Sequence, residues 1–383
     1  MKRKIFCIAL AIITVFLTLI VPNLIIFAAD TPDIDGKSAI LIDPHTGTIL
    51  YEKNIHERLS MASITKLMTC LITIEMLESG KHSPDELVTV SKTAADLEGA
   101  SIYLIANERV RLEDLLIATI VRSANDAAYA IAEHISGTIE EFAVLMNEKA
   151  ALFGMSESHF TNPEGLEDPD NYSTTRDIAI LSMEFYKHPQ LLEWSGLKST
   201  TIRNGRVEMN SSNNFLTKYE WATGLKTGYT EKAGYCLVAT ADKNGTELLS
   251  VVMGLPDDQT RIQESIELLD WGFANYGNVI LCHQGDDMGE IKIATANPYK
   301  VPAIAIEDLR SMIPLELIGE VVMKIEKVNV KAPFDIGTVI GTATMYIGDE
   351  EIASVELVST VPTLKVNIFV RIWRFIVSLF TKD

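Results

Sequence analysis

"MASITKLMTCLITIEMLESG" occupies residues 61–80. From Ser63 to Ser79, apolar residues lie on nearly every side of a predicted helix, and Gly80 marks its end. A helix that is apolar all round is buried, so we expect a central helix inside a large hydrophobic core. Ser63 and Lys66 lie one turn apart near its start, on the same face. Ser63 could simply cap the helix while Lys66 reaches water, so this pair is not informative by itself.

The segments around this helix predict a mixed α/β domain. Residues 38–53 indicate two strands joined by a turn, and residues 234–241 and 246–254 indicate a hairpin around Asn244-Gly245. Further helices are predicted at 111–122, 125–136, 139–152 and 257–275.

The pattern changes after Gly277. Short runs that alternate apolar and polar residues continue to about residue 362 and predict a small, mostly antiparallel β domain. Residues 363–383 then predict an amphipathic helix, with Arg371 and Arg374 on its polar stripe. Because two arginines disfavour spanning a bilayer, we expect this helix to lie in a membrane interface. Packing on the protein's own core is the alternative.

The first 29 residues form a separate segment. Basic residues at positions 2–4 precede a long apolar run and a small-residue end at Ala28-Ala29, which is the pattern of an export signal. An uncleaved membrane anchor is the alternative, because the apolar run is long. Either way, we expect the rest of the chain to lie outside the cytoplasm.

Composition excludes several classes of protein. With 383 residues, of which 47% are hydrophobic and 22% charged, the chain is globular and long enough for two domains. A formal net charge of −19 disfavours nucleic acid as a partner. Beyond the signal, Cys70, Cys236 and Cys282 are too few and too widely spaced for a disulfide framework or a metal-type pair. The seven histidines are scattered, so we expect neither a metal nor a cofactor.

Three short motifs occur in an informative order. They are Ser63-x-x-Lys66, Ser123-Ala-Asn125 and Lys226-Thr227-Gly228. The first opens the buried helix, the second joins two predicted helices, and the third precedes the hairpin. A second Ser-x-x-Lys at 195–198 lies in a polar stretch after the second motif, and it fits neither the order nor the setting.

The residue types of these motifs belong together chemically. A serine hydroxyl is a poor nucleophile at neutral pH, so Ser63 needs a neighbouring base. No histidine is placed for that role, which leaves Lys66. A lysine acts as a base only when burial and nearby positive charge lower its pKa, and Lys226 could supply that charge. Ser123 could relay a proton to a leaving amine, and Asn125 could orient a substrate peptide group.

The residue types of the third motif suit the binding of a substrate's carboxyl-terminal end. Lys226 and Thr227 fit a substrate that ends in a free carboxylate, and Gly228 leaves room where substrate would lie along a strand. The backbone N–H groups of Tyr229 and Ser63 could form an oxyanion hole. The helix N-terminus also favours the negative charge that develops when Ser63 attacks.

This ordered set resembles the penicilloyl serine transferases. More narrowly, it is similar to the D-alanyl-D-alanine carboxypeptidases of the type-5 group of low-molecular-mass penicillin-binding proteins. The resemblance covers nearly everything after the signal. Its further motifs are "LIDPHTGTILYEKN", "MASITKLMT", "RSANDAA", "TNPEGL", "YSTTRDIA" and "GLKTGYTEKAGYCLVATA".

The resemblance implies a fold, an activity and a location. The fold would be a β-lactamase/transpeptidase-like α/β/α sandwich with a five-stranded antiparallel sheet, followed by a small all-β domain. The activity would be removal of the terminal D-alanine from peptidoglycan pentapeptide stems through an acyl-enzyme on Ser63, which β-lactams would also acylate. The location would be the outer face of the bacterial cytoplasmic membrane. The expected parts are a signal (1–29), a catalytic domain (30–276), a β-sandwich-like domain (277–362) and an anchor helix (363–383).

Two positions depart from the family pattern, and three alternatives stay open. Asn171 and Glu164 stand where histidine is common, but both lie outside the three motifs and bear on loop structure and specificity. A class A β-lactamase would need a water-activating carboxylate in Glu-x-x-Leu-Asn, which this chain lacks. A catalytically silent wall-binding protein would be expected to lose a motif residue. Transpeptidase or endopeptidase activity would differ only in the acceptor of the acyl group.

Overall fold

The computed structural model describes residues 31–378. The predicted export signal and residues 379–383 lie outside the described residues. In the amino-terminal part, the elements are β1 (Ser38–Ile42), β2 (Ile49–Lys53), α1 (Lys66–Glu78), β3 (Leu87–Thr89), α2 (Lys92–Ala95), β4 (Arg109–Arg111), α3 (Leu112–Val121), α4 (Asn125–Ser136), α5 (Ile139–Leu152), α6 (Thr175–Tyr186), α7 (Pro189–Ser195), β5 (Ser199–Ile202), β6 (Val207–Asn210), α8 (Phe215–Lys218), β7 (Ala222–Thr230), β8 (Gly234–Lys243), β9 (Thr246–Leu255) and α9 (Asp258–Asn275).

In the carboxy-terminal part, the elements are β10 (Tyr276–Cys282), β11 (Asp287–Lys292), β12 (Ala296–Asn297), β13 (Lys300–Ala305), β14 (Leu309–Pro314), β15 (Val321–Lys327), β16 (Val339–Ile347), β17 (Glu350–Ser359), β18 (Leu364–Lys365) and α10 (Ile368–Ser378).

The central sheet has the strand order β2-β1-β9-β8-β7, and every neighbouring pair is antiparallel. Side chains alternate between its faces because successive residues of a strand point to opposite sides. On β1, Ile40 and Ile42 pack into the core that contains α1, whereas Ala39 and Leu41 pack into the core that contains α9. Both faces are therefore covered by helices, and the predicted sandwich with a five-stranded antiparallel sheet is confirmed.

Helix α1 is the buried central helix that the sequence predicts. Each of its residues from Lys66 to Ile74 is buried. A 3₁₀ turn, Ala62–Thr65, precedes it, so the α-helix begins at Lys66 rather than at Ser63. Ser63 therefore sits in the tighter turn that leads into the helix.

Local chemistry explains why the other predicted boundaries agree closely with the structure. Asn244 and Gly245 both have positive φ, as the tight turn between β8 and β9 requires. Asp257 caps α9, because its carboxylate accepts a hydrogen bond from the Thr260 N–H at 2.8 Å.

The carboxy-terminal part contains a second antiparallel sheet, in the order β11-β13-β17-β16-β15, with a core of its own. It is not an isolated unit, because Met312 of β14 is buried in the cluster that also contains Leu268 and Leu269 of α9. The small all-β domain predicted from the alternating pattern is confirmed, and it is docked on the helix that closes the first domain.

Helix α10 begins at Ile368, later than residue 363, because Leu364–Lys365 pairs with Ala296–Asn297 as a short strand. Arg374 turns back to the β domain, where its guanidinium donates to the carbonyls of Ala294 and Ala296 at 3.0 and 2.8 Å. Large apolar side chains on the helix are exposed, namely Ile368, Phe369, Ile372, Trp373 and Ile376. Between residues 31 and 378, no helix combines the length and apolar character needed to cross a bilayer.

Candidate active site

Ser63 and Lys66 form the centre of the site. The Lys66 ammonium lies 2.9 Å from the Ser63 hydroxyl oxygen, and its side chain is fully buried. It also donates to Asn125 Oδ1 at 2.8 Å and to the carbonyl of Glu164. Both of these oxygens can only accept a hydrogen bond, whereas a hydroxyl can donate as well. Once Lys66 is neutral, only its contact with Ser63 can reverse direction, so Ser63 is the group from which Lys66 can take a proton.

Asn125 is held in place by the first turn of α4 and the segment before it. Its amide Nδ2 donates to the carbonyl of Glu98 at 2.7 Å, and its backbone N–H donates to the carbonyl of Ala100 at 2.7 Å. These contacts aim Oδ1 at Lys66.

Ser123 and Lys226 form a second hydrogen-bonded pair. The Lys226 ammonium lies 2.8 Å from the Ser123 hydroxyl and 3.0 Å from the carbonyl of Thr227. Ser123 lies between α3 and α4 with a φ of +62°, in the left-handed region that a serine seldom adopts. Non-glycine residues in this region are concentrated at functional sites, where the surrounding structure holds them in place.

Strand β7 forms the wall of the site opposite the 3₁₀ turn. A Cβ added at Gly228 would lie 2.9 Å from the carbonyl oxygen of Met61, so only glycine allows the strand to approach the turn this closely. Thr227 is buried on the same strand. The Tyr229 ring is half exposed and lies 4.3 Å from the ring of Tyr235, so its backbone N–H is the part suited to the site.

Burial controls the electrostatics of both lysines. It lowers the pKa of Lys66 to about 8, against the opposing effect of the Glu164 carboxylate. Burial also lowers the pKa of Lys226 well below its ordinary value, and the nearby charge of Lys66 lowers that pKa further. The sequence hypothesis invoked both burial and a charge on Lys226 to lower the pKa of Lys66. In the structure, burial is the main cause of the low pKa of Lys66.

Two residues near the site were not assigned a role there from the sequence. Glu164 is buried, burial raises the pKa of its carboxyl to about 7, and its Oε2 has no hydrogen-bond partner. Arg261 of α9 donates to the carbonyl of Gly228 at 3.0 Å and to that of Cys236 at 3.2 Å. It therefore links α9 to β7 and β8. The sequence could have pointed to Arg261, because it is a charged residue beside Ile262 and Ser265 on the buried side of α9.

The loop that contains both family departures is tied to α1. The Thr69 hydroxyl donates to the carbonyl of Pro163 at 2.6 Å, and Asn171 Nδ2 donates to the Thr65 hydroxyl at 3.3 Å. A Cβ at Gly165 would fall 2.0 Å from the carbonyl oxygen of Ala62. Glu164 is thus placed beside Lys66 by its own loop, a position that the sequence related only to loop structure and specificity.

Contacts between the 3₁₀ turn, α1, α4 and β7 bring the eight predicted site residues together. These residues are Ser63, Lys66, Ser123, Asn125, Lys226, Thr227, Gly228 and Tyr229. The hydrogen bonds link Ser63, Lys66 and Asn125 into one set and Ser123 with Lys226 into another. The second Ser-x-x-Lys does not join them, since Ser195 ends α7 and its hydroxyl donates to the carbonyl of Leu192.

Comparisons with known proteins agree with this geometry. Residues 25–257 match the family model described as D-alanyl-D-alanine carboxypeptidase, and residues 276–361 match that of the penicillin-binding protein 5 C-terminal domain. The chain is 33% identical to D-alanyl-D-alanine carboxypeptidase DacA of Haemophilus influenzae over 359 residues, covering 92% of this chain and 91% of the relative.

Solved structures are similar over the same range. Penicillin-binding protein 5 from Haemophilus influenzae aligns with a TM-score of 0.78 at 33% identity, over 87% of this chain and 99% of that one. Penicillin-binding protein D2 from Listeria monocytogenes, solved in its ampicillin-bound form, aligns with a TM-score of 0.58 at 30% identity, over 63% of this chain and 99% of that one. The chain therefore belongs to the D-alanyl-D-alanine carboxypeptidase family of serine peptidases.

Proposed function

We propose that this chain removes the terminal D-alanine from peptidoglycan pentapeptide stems, with Ser63 as the nucleophile. One observation carries the assignment: the Lys66 amine is fully buried, and among residues 31–378 Ser63 is its only hydrogen-bond partner that can donate a proton to it. Burial keeps part of the Lys66 population neutral near pH 7, which is the form that can act as a base.

The acylation step uses both hydrogen-bonded sets. Neutral Lys66 takes the Ser63 proton as the Ser63 oxygen bonds to the carbonyl carbon of the penultimate D-alanine. The backbone N–H groups of Ser63 and Tyr229 stabilise the resulting oxyanion. The peptide C–N bond then breaks, and Lys66 passes the proton that it took from Ser63 through Ser123 to the leaving amine of D-alanine. Lys66 is then neutral again.

Water completes the cycle. It attacks the ester carbonyl, Lys66 takes a proton from this water, and Ser63 regains its hydroxyl as the ester bond breaks. Lys226 and Thr227 bind the substrate's terminal carboxylate, and Asn125 orients the peptide group. A β-lactam acylates Ser63 by the same attack, with its ring amide in place of the peptide bond.

We further propose that the protein is exported and acts at the outer face of the bacterial cytoplasmic membrane. The basic, apolar and small-residue order of residues 1–29 supports export. The exposed apolar side chains of α10 support contact with the membrane surface, because Arg374 fixes the opposite side of this helix to the β domain. A helix that has an exposed apolar side and an opposite side fixed to the protein lies in the membrane interface rather than across the bilayer.

The test is D-alanine release by the purified full-length chain from a pentapeptide that ends in D-Ala-D-Ala. We expect release by the wild type, inhibition by penicillin, and loss of both release and fluorescent-penicillin labelling in Ser63→Ala. Ser195→Ala is the matched control, because it removes the serine of the other Ser-x-x-Lys, and it should keep both activities.

Three outcomes would favour other functions. Unaltered release by Ser63→Ala would remove the nucleophile assignment. Absence of labelling in the wild type would favour a silent wall-binding protein. Rapid repeated hydrolysis of a chromogenic cephalosporin would favour a β-lactamase.

A further inference from the structure

Three side chains with metal-ligating atoms converge at the end of α4 that lies away from the active site. His82 follows the C-terminus of α1, Glu86 precedes β3, and His134 lies in the last turn of α4. His82 Nδ1 lies 3.1 Å from one Glu86 carboxylate oxygen, and His134 Nε2 lies 2.5 Å from the other. The three ligating atoms all lie within 4.8 Å of one another, and no other such group of three is found within residues 31–378.

Two imidazoles and one carboxylate make a donor set typical of zinc. Zinc binds histidine nitrogen and carboxylate oxygen at about 2.0–2.2 Å in tetrahedral geometry, which puts neighbouring ligand atoms roughly 3.3 Å apart. The separation between His82 and Glu86 already matches this value. The distance between His134 Nε2 and the Glu86 carboxylate oxygen would have to lengthen by less than 1 Å. All three side chains are partly exposed, which leaves the fourth position open to water.

The carboxylate is held in place without the ion. Glu86 Oε2 accepts a hydrogen bond from the Ser83 backbone N–H at 3.1 Å. Contacts of this kind around a metal site orient its ligands and raise its affinity. His82 is fixed as well, because its backbone N–H donates to the carbonyl of Met76 in the last turns of α1.

We propose that His82, Glu86 and His134 bind one divalent transition-metal ion, with zinc as the favoured occupant. The ion joins the segment after α1 to the last turn of α4. These two helices carry Lys66 and Asn125 at their opposite ends, so the ion is structural and ties together the far ends of the helices that build the active site. The ligands are scattered in sequence, which is why spacing alone gave no metal pattern.

The test uses the purified full-length chain in mild detergent, treated with a chelator and then desalted. We expect it to bind one equivalent of Co²⁺ with the visible absorption of tetrahedral cobalt, and Zn²⁺ to displace that signal. His82→Gln and His134→Gln should each weaken Zn²⁺ binding by about tenfold or more. The control is His56→Gln, which removes an imidazole from a pair with Glu157 for which residues 31–378 offer no third ligand, and it should bind like the wild type.

Thermal unfolding separates loss of the ligand from loss of the fold. Zn²⁺ should raise the unfolding midpoint of the wild type and of His56→Gln by several degrees, since an ion that binds only the native state stabilises it. It should not raise that of His134→Gln, whose midpoint in chelator should equal that of the wild type in chelator. Absence of Co²⁺ binding by the wild type would overturn the proposal, as would equal Zn²⁺ binding by His134→Gln. Either result would leave two histidines that only hydrogen-bond Glu86.

Discussion

Glu164 is the ionisable residue whose position matters most for the proposed base. It is buried, and its negative charge raises the pKa of Lys66 against the lowering effect of burial. A carboxylate near an amine favours the ammonium form, which cannot accept the Ser63 proton. The buried loop therefore restrains the base that the rest of the site activates.

Replacement of Glu164 by glutamine should shift the pH dependence of acylation. Without the anion the pKa of Lys66 falls, so more of the amine is neutral at a given pH. The rising limb of the rate, which lies near pH 8 if it follows Lys66, should move to lower pH. Stopped-flow measurement of penicillin acylation from pH 5.5 to about 9.5 would check this.

Asp170→Asn is the matched control for this prediction, because Asp170 is an exposed carboxylate in the same loop. It should leave the pH profile unchanged. A shift of the Glu164→Gln limb to higher pH, or no shift, would show that the carboxylate does not act on Lys66.

The roles of single residues were only partly predictable from the sequence. The motif residues could be found because their order along the chain is informative and each type has a defined chemical use. The contact between Lys66 and Glu164 could not, since it joins positions 98 residues apart through a loop whose path depends on Gly165 and Ala62. Burial as a cause of the low pKa of Lys66 was expected from the apolar helix, but the opposing effect of the Glu164 carboxylate was not, because it depends on the path of that loop.

Helix α10 is the element to which we assign contact with the membrane surface. Arg374 fixes its orientation through two backbone carbonyls and lies 4.5 Å from the ring centre of Tyr299. The exposed apolar side chains therefore point away from the β domain as a fixed stripe. The sequence predicted a polar and an apolar side, but it could not show that Arg374 faces the protein.

Trp373→Ser should weaken binding of residues 30–383 to anionic lipid vesicles. Loss of one large apolar contact is worth about 1.5–3 kcal/mol, so we expect a fall in partition coefficient of roughly tenfold or more. Vesicle sedimentation would measure it. Val322→Ser is the control, because Val322 is an exposed apolar residue on β15. An equal loss in both variants would contradict a specific role for α10.

Element boundaries in the first domain were far more predictable than contacts between the two domains. Caps and turns such as Asp257 and Asn244-Gly245 act locally, so the sequence locates them to within a few residues. The docking of β14 on α9 has no such local signal, because Met312 looks like an ordinary strand residue in a small β domain.

Met312→Ala should therefore destabilise the molecule as a whole. Met312 is 4% exposed, and truncation of a buried methionine costs about 2–5 kcal/mol of the free energy of unfolding. Met323→Ala is the control, because Met323 is 40% exposed on β15 and its truncation should change little. Denaturant unfolding followed by fluorescence would measure both. Equal midpoints for the two variants would mean that the domains are not coupled through this contact.

The burial of Lys226 should affect the heat that is measured when a ligand binds. Burial holds the pKa of Lys226 well below its ordinary value, which disfavours the ammonium form of the amine. An arriving carboxylate favours the ammonium form, so the complex should draw a proton from solution as it assembles. Titration of Ser63→Ala with a D-Ala-D-Ala peptide should then give a heat that varies with the ionisation enthalpy of the buffer, and a peptide with an amidated end should lose that dependence.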